Sequence, residues 1–168
     1  IYSKLILACD GKFSDLRQKF NINTIEKNYK QTAIVFNIKH KKPHNNCAWE
    51  KFYPGGPLAV LPLNSQNQST IVWIVKNSHL KAYLGLSNKD FSNQLSQKIS
   101  HELGEIESIS KKFTYSLRLI ESEIFYSKKL ILAGDSSCAI HPIAGQGFNL
   151  AISSIKILRD LIKKNYLN

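Results

Sequence analysis

Two apolar stretches of the chain each end in an aspartate, and these two carboxylates are the first candidates for chemistry. Residues 5–10 read LILACD, and residues 130–135 read LILAGD. A short, continuous apolar run is typical of a strand that is buried on both faces. Asp10 and Asp135 therefore belong at the C-terminal ends of two strands, where open α/β sheets bind their ligands. We expect the two strand ends to lie side by side at one sheet edge.

A glycine-containing loop follows Asp135 and leads into a long amphipathic stretch. A helix that begins near Gly147 would direct its free N–H groups and the positive end of its dipole at the loop. A flavin dinucleotide offers hydroxyls to the aspartate and an N1–C2=O edge to the helix start. The spacing is not G-x-G-x-x-G, because Leu150 stands where the third small residue is expected, which favours ring and ribityl contacts over a pyrophosphate cradle. The alternative interpretation is that the glycines of this loop serve packing alone and contact no ligand.

The residues around both strand ends resemble motifs of the class A flavoprotein aromatic hydroxylases, which share the p-hydroxybenzoate hydroxylase fold. The resemblance implies that Asp135 binds the ribityl chain of FAD and that Arg17 faces a phosphate of FAD or NADPH, with a solvated helix charge as the alternative for Arg17. The chain departs from the family pattern at residues 136–138, which are Ser-Ser-Cys instead of Ala-Ala-His. The implied cofactor-binding residues are Asp10, Gly11, Arg17, Gly134, Asp135, Pro142, Gly145, Gln146, Gly147 and Asn149.

Residues 29–76 alternate like an antiparallel sheet, and residues 87–103 carry an apolar residue at every fourth position, which predicts a covering helix. The strings Tyr29-x-Gln-Thr-Ala and Gly56-Pro-Leu-Ala-Val-Leu-Pro-Leu63 resemble the ubiquinone-biosynthesis branch, the 2-octaprenyl-6-methoxyphenol hydroxylases. We therefore predict a mixed α/β (α+β) fold of the p-hydroxybenzoate hydroxylase type. Residues 1–28 and 121–168 are predicted to be parts of an FAD-binding domain, and residues 29–120 a substrate-binding antiparallel sheet with its helix.

The resemblance implies a monooxygenase that uses FAD, NAD(P)H and O2 to hydroxylate the ring of a prenylated phenol. The flavin carries such chemistry, and no side chain stands out as a catalytic base. Three alternatives stay open: a flavin-free scaffold or accessory remnant, a split half that needs a separate N-terminal chain, and a flavin hydroxylase of a soluble phenol. Other ubiquinone-biosynthesis proteins are further candidate partners.

The chain has no Met, begins at Ile1 and lacks an N-terminal G-x-G-x-x-G unit. We interpret it as an internal piece of a longer protein that is inactive alone and binds FAD weakly or not at all. No apolar run approaches the roughly 20 residues of a membrane span, and three scattered Cys favour a reducing compartment. A cytoplasmic location, with peripheral contact to the inner membrane, is the expectation.

The net charge of +11 comes almost entirely from Lys, with Arg only at positions 17, 118 and 159. Arg is the residue preferred for bidentate phosphate and base contacts, so no nucleic-acid partner is predicted.

A spacing compatible with zinc is found at His40, His44 and Cys47, but no fourth ligand is close, so no metal is predicted. The preferred interpretation is that these are loop residues at a hairpin tip. The closing helix is predicted to bury one face, formed by Phe148, Ile152, Ile155, Leu158 and Ile162.

Overall fold

The computed structural model describes residues 3–166, with side chains described up to residue 164. The chain separates into two compact units. The terminal unit comprises Ile1–Tyr29 with Arg118–Asn168, and the central unit comprises Lys30–Leu117. The elements, in chain order, are β1 (Ile6–Ala8), α1 (Asp15–Lys19), β2 (Thr24–His40), β3 (Trp49–Lys51), β4 (Leu58–Pro62), β5 (Gln68–Lys76), α2 (Asn77–Gly85), α3 (Asn88–Leu103), β6 (Ile106–Ile109), β7 (Phe113–Ser122), β8 (Tyr126–Ser127), β9 (Leu130–Leu132), a 3-10 turn (Gly134–Ser136), β10 (Cys138–Ala139) and α4 (Gln146–Tyr166).

The central unit contains an antiparallel sheet in the order β2-β5-β4-β3, with β6 paired to β2 on the other side. Along β2, Ile34 and Phe36 are buried, whereas Asn37 between the buried positions is exposed. This alternation follows from the two-residue period of a strand, which sends successive side chains to opposite faces. One face of the sheet is therefore apolar and buried, as the sequence predicts.

Helix α3 covers that apolar face. It begins after Ser87, whose hydroxyl accepts the Asp90 N–H at 3.1 Å, and it ends at Gly104, which has a φ of 70°. Its buried residues are Phe91, Leu95, Ile99 and Leu103. They pack with the inward residues of the sheet, so the predicted stripe is the second layer of a closed core.

A tight turn joins β3 and β4 within the central unit. Gly56 has a φ of 139°, and a Cβ at this position would lie 2.6 Å from the carbonyl oxygen of Ile74. Only glycine fits where the backbone passes this close to its neighbour. A glycine at position 56 of this Pro-Gly-Gly-Pro turn is therefore required sterically.

Two histidines of the central unit are buried. His40 is the last residue of β2, which corrects the prediction that it lies in a hairpin-tip loop, whereas His44 lies in the loop between β2 and β3. His40 Nδ1 lies 2.7 Å from the carbonyl oxygen of Lys42, and its Nε2 lies 3.0 Å from Ser69 Oγ. His44 Nε2 lies 3.0 Å from the carbonyl oxygen of Ser65. Both rings hold the backbone between β2 and β3 in place, because buried polar atoms must find hydrogen-bond partners.

The terminal unit contains a three-stranded sheet in the order β1-β9-β8, in which β1 and β9 are parallel. Its buried cluster is small: Ala8, Ile22, Leu130 and Leu132, with Ile6, Leu16 and Phe20 packed against them. In the same unit β10 pairs with β7 through Cys138 opposite Glu121 and Ala139 opposite Ile120.

The predicted buried face of α4 is wrong for three of its five residues. Phe148, Ile152 and Ile155 are exposed, whereas Leu158 and Ile162 are half-buried. The periodicity reports which side chains a helix is able to bury, and within the described residues no second layer covers this side of α4. No helix in the described part of the chain is both long and apolar enough to cross a membrane.

Candidate functional site

The parallel pairing of β1 with β9 brings the two aspartate-tipped strand ends together. Ala8 is the register partner of Leu132, and the Ala133 N–H donates to the Ala8 carbonyl at 2.9 Å. Asp10 follows β1 by two residues, and Asp135 follows β9 by three. The expectation that these strands lie side by side is confirmed, and both carboxylates extend from the same sheet edge.

The carboxylate of Asp10 caps helix α1. Its Oδ2 accepts the Leu16 N–H at 3.1 Å. The pKa of Asp10 lies below its ordinary value, first because the Ser14 hydroxyl donates to the carboxylate and then because backbone N–H groups do so as well. Hydrogen bonds to the charged form favour that form. Asp10 is therefore a stable anion that remains solvent-exposed.

Asp135 is also exposed, but its situation is different. Among residues 3–166, no group donates a hydrogen bond to its carboxylate or forms an ion pair with it. Gly134 beside it has a φ of 66° and open space where a Cβ would stand. An unpartnered carboxylate at a strand end, next to bare backbone, suits a ligand that presents hydroxyl groups.

Ser136 ties the two strand ends together, and sequence reasoning did not assign it this role. Its buried hydroxyl lies 2.5 Å from the carbonyl oxygen of Ala8 and 2.8 Å from that of Ala133, and it lies 3.0 Å from the Ala133 N–H. A hydroxyl has one proton to donate, so it serves one of the two carbonyls at a time and accepts the N–H. The departure from the family's alanine at this position was visible in the sequence, but its hydrogen bonds were not.

Arg17 braces the same corner from helix α1. Its buried guanidinium donates to the carbonyl oxygen of Ser136 at 2.9 Å and to that of Lys12 at 2.7 Å. The Ser122 hydroxyl donates to the same Ser136 carbonyl at 3.2 Å. Arg17 is therefore not a solvated helix charge, and a contact with a cofactor phosphate stays a prediction.

The loop between β10 and α4 contains the remaining predicted residues: Pro142, Gly145, Gln146, Gly147 and Asn149. Ala144 and Gly145 have φ values of 49° and 66°, which turn the chain directly into the helix. The Gln146 N–H donates to the Ile143 carbonyl at 3.0 Å, and the Asn149 N–H donates to the Gly145 carbonyl at 3.3 Å. First-turn amides such as that of Gly147 have no partner within the helix and are available to an electron-rich ligand edge.

Two further side chains shape this loop. The rings of Tyr29 and His141 meet edge to face with their centroids 4.9 Å apart. Cys138 is half-buried, and burial raises the pKa of its thiol, with the charges of Glu121 and Asp135 adding to the effect. A raised pKa favours the protonated, less nucleophilic form of the thiol.

The site thus combines an unpartnered carboxylate at a strand end with a helix start beside a glycine loop. Residues 1–164 match the family model described as FAD binding domain, and the chain belongs to that family.

Two comparisons place the chain among relatives. The ubiquinone hydroxylase UbiL of Rhodospirillum rubrum is 31% identical over 160 residues, covering 95% of this chain and 37% of UbiL. The mitochondrial ubiquinone biosynthesis monooxygenase COQ6 of Danio rerio is 26% identical, covering 100% of this chain and 42% of its own length. The chain thus spans about two fifths of these curated relatives.

Among solved structures, the p-nitrophenol 4-monooxygenase PnpA from Pseudomonas putida matches with a TM-score of 0.70 at 18% identity, over 95% of this chain and 41% of PnpA. The flavin-dependent halogenase CmlS matches with a TM-score of 0.72 at 19% identity, over 89% of this chain and 28% of CmlS. At these identities the likeness shows a shared fold, and the mixed α/β prediction is confirmed.

Proposed function

We propose that this chain supplies the ribityl and ring half of an FAD site, together with a substrate-binding sheet, to a hydroxylase of ubiquinone biosynthesis. The parallel pairing of β1 with β9 carries this proposal, because it puts Asp10 and Asp135 at one sheet edge. The proposed substrate class is an electron-rich phenol with a prenyl tail, and the names of the curated relatives, a ubiquinone hydroxylase and a ubiquinone biosynthesis monooxygenase, support it. NAD(P)H as the reductant is part of the proposal.

The chain's own residues have distinct tasks in this proposal. Asp135 accepts hydrogen bonds from the ribityl hydroxyls, and the N–H groups at the start of α4 stabilise negative charge on the ring edge. Ser136 and Arg17 hold the strand ends that present these groups. When bound, FAD supplies the redox chemistry that activates O2 for ring hydroxylation.

The exposed face of the central sheet is the proposed floor for the substrate. On this face the Thr70 hydroxyl donates to Asn37 Oδ1 at 2.8 Å. Leu61 lies on a neighbouring strand and is exposed. A face that mixes apolar side chains with a few polar groups suits a phenol ring with an aliphatic tail.

A flavin titration tests which half of the cofactor the chain recognises. The full 168-residue chain is titrated with FAD, FMN and ADP, and binding is followed by flavin fluorescence and by calorimetry. We expect weak and similar binding of FAD and FMN, and no competition by ADP, because the proposed contacts are to the ring and the ribityl chain. Tight FAD binding, or competition by ADP, would contradict the proposal.

A matched pair of variants assigns the binding to Asp135. Asp135→Asn removes the negative charge of the carboxylate that accepts hydrogen bonds from the ribityl hydroxyls. FMN affinity is expected to fall roughly tenfold or more, as for the loss of hydrogen bonds to a charged group. Asp160→Asn on α4 is the control, because this exposed carboxylate pairs with Arg159. Equal losses in both variants would mean that net charge governs flavin binding.

The substrate class is tested by product analysis. The chain is co-expressed with the part of UbiL that lies N-terminal to the matched region, and NAD(P)H with a prenylated or an unprenylated phenol is supplied. Hydroxylation of the prenylated phenol supports the ubiquinone assignment. Turnover of the unprenylated phenol alone favours a soluble substrate, and a colourless, inactive mixture favours a flavin-free accessory role.

A further inference from the structure

Glu50 lies on strand β3, on the face of the central sheet that helix α3 does not cover. Its two neighbours in the strand face α3: Trp49 packs against the core cluster, and Lys51 Nζ lies 2.6 Å from Glu102 Oε1. Successive side chains of a strand alternate between the two faces, so Glu50 belongs to the open face, where it is half-buried. Among the described residues of β3, β4 and β5, it is the only acidic one.

The register of the sheet places Glu50 at the end of an apolar row. Glu50 is the register partner of Ala59 on β4. Ala59 pairs with Val72 on β5, which in turn pairs with Val35 on β2. Neighbouring strands are about 4.8 Å apart, so the row is about 14 Å long. The three apolar residues are half-buried, and Ala59, the smallest of them, leaves the most room beside the carboxylate.

The two ends of this row match the two ends of a prenylated phenol. A carboxylate has about four acceptor sites, so Glu50 is able to accept a hydrogen bond from a phenol hydroxyl while it also contacts protein groups. Hydrogen bonds to a charged acceptor are roughly twice as strong as those between neutral groups. In the next row, the Thr70 hydroxyl and the amide of Asn37 are engaged with each other at 2.8 Å. Glu50 is therefore the strongest acceptor that the described part of these strands offers to a phenol on this face.

We propose that Glu50 accepts the hydrogen bond of the substrate's phenol hydroxyl and so fixes the orientation of the ring on the sheet. The ring would lie over Ala59, and the apolar tail would cross Val72 and Val35. This inference deepens the proposed function and rests on it for the substrate class. A charge on an edge strand such as β3 also discourages pairing with another chain, but that role needs no ligand, so a binding measurement separates the two.

Two aromatic probes that differ in a single O–H group test this contact. Guaiacol (2-methoxyphenol) has a hydroxyl that can donate to Glu50, whereas its methyl ether veratrole (1,2-dimethoxybenzene) has none. Each probe is titrated into the full 168-residue chain without flavin, and the amide shifts of Glu50, Ala59 and Val72 are followed by NMR. We expect guaiacol to bind about tenfold more tightly than veratrole, as for a hydrogen bond to a charged group. Absence of binding, equal affinities, or shifts confined to other strands overturn the proposal.

Three variants assign the preference to one carboxylate. Glu50→Leu removes the acceptor and is expected to bring the affinities of the two probes to within about twofold of each other, because only the hydroxyl contact is lost. Glu50→Gln keeps a neutral acceptor and is expected to retain a preference of about threefold. Glu105→Gln is the control, because this carboxylate pairs with Lys41 outside the row, and the wild-type preference is expected.

A tenfold preference that survives both Glu50 substitutions overturns the assignment, and so does one that Glu105→Gln abolishes. Tryptophan fluorescence checks that each variant folds, and if Glu50→Leu does not, the ratio measured for Glu50→Gln decides. The inference and the proposed function fail separately, because the phenol titration contains no flavin. A chain that shows the Glu50-dependent preference but binds neither FAD nor FMN refutes the proposed function alone. A chain that binds flavin without preferring guaiacol over veratrole refutes this inference alone.

Discussion

The central and terminal units place similar apolar patterns in very different environments. In the central unit the apolar sheet face and the stripe of α3 meet and close a core that includes Trp73 and Phe91. In the terminal unit the strands β1 and β9 and the long helix α4 bury only a small cluster, and Phe148 is 72% exposed. The comparison teaches that a periodic pattern of apolar residues forms a buried core only where a second layer of the same chain packs against it. It also separates a unit whose apolar faces close on each other from one that leaves large apolar side chains exposed within the described residues.

A matched pair of phenylalanine truncations gives the largest expected contrast between the units. Phe91 is fully buried, with ring centroids 5.3 Å from Phe36 and 5.6 Å from Trp73. Phe91→Ala is expected to lower the free energy of unfolding of the central unit by about 3–5 kcal/mol. Phe148→Ala in the exposed flank of α4 is expected to change stability by less than about 0.5 kcal/mol.

Urea unfolding followed by tryptophan fluorescence reports the central unit, because both tryptophans, Trp49 and Trp73, belong to it. Far-UV circular dichroism and hydrogen exchange follow the helix of the terminal unit. A large loss from Phe148→Ala in the chain alone would show that α4 is already covered, and the contrast between the units would fail.

The corner at Arg17 is the exception within the terminal unit, because here the chain completes its own contacts. Arg17→Met removes the donors to the Ser136 and Lys12 carbonyls and is expected to destabilise this unit by roughly 2–3 kcal/mol. Arg159→Met on the exposed side of α4 is the control, with an expected loss below about 1 kcal/mol. Hydrogen exchange of the Leu132 and Ala133 amides measures the effect. Equal protection in both variants would mean that the strand ends do not depend on Arg17.

Part of this arrangement could be predicted from local sequence. The repeated apolar run followed by Asp predicted the adjacent strands β1 and β9, since each strand carries its own signal. The four-residue apolar repeat of α3 predicted a helix that the structure confirms. Helix α2 and strand β6 were not predicted. No residue of α2 is buried and its N-cap residue, Lys76, makes no side-chain cap, so α2 leaves little pattern to detect.

The sequence predicted which motif residues belong to the candidate site. It did not predict the hydrogen-bond partners of those residues. Ser136 and Arg17 bond to main-chain carbonyls, and such acceptors exist next to every residue, so no sequence pattern marks them. The burial of His40 and His44 could not be predicted for a related reason, because their partners Ser69 and Ser65 lie 29 and 21 residues further along the chain and only the fold brings them close. The exposed face of α4 could not be foreseen, since periodicity does not say whether a covering layer is present.

The smallest expected effect is a pH dependence of the stability of the central unit. Burial lowers the pKa of His40 below its ordinary value, although the hydrogen bond to the Lys42 carbonyl opposes this. The unfolded chain therefore binds a proton more readily than the folded one, and stability is lost as pH falls below about 6.5. The loss at pH 5.5 is expected to stay below about 1.4 kcal/mol, the value of one pH unit for one group.

Urea unfolding at pH 7.5 and pH 5.5, followed by tryptophan fluorescence, measures this loss. His40→Asn is expected to remove most of the difference between the two pH values, while lowering stability at both because the Ser69 contact changes. His79→Asn on the exposed helix α2 is the matched control and is expected to keep the wild-type pH dependence. If both variants retained the same dependence, groups other than His40 would govern the acid sensitivity of the central unit.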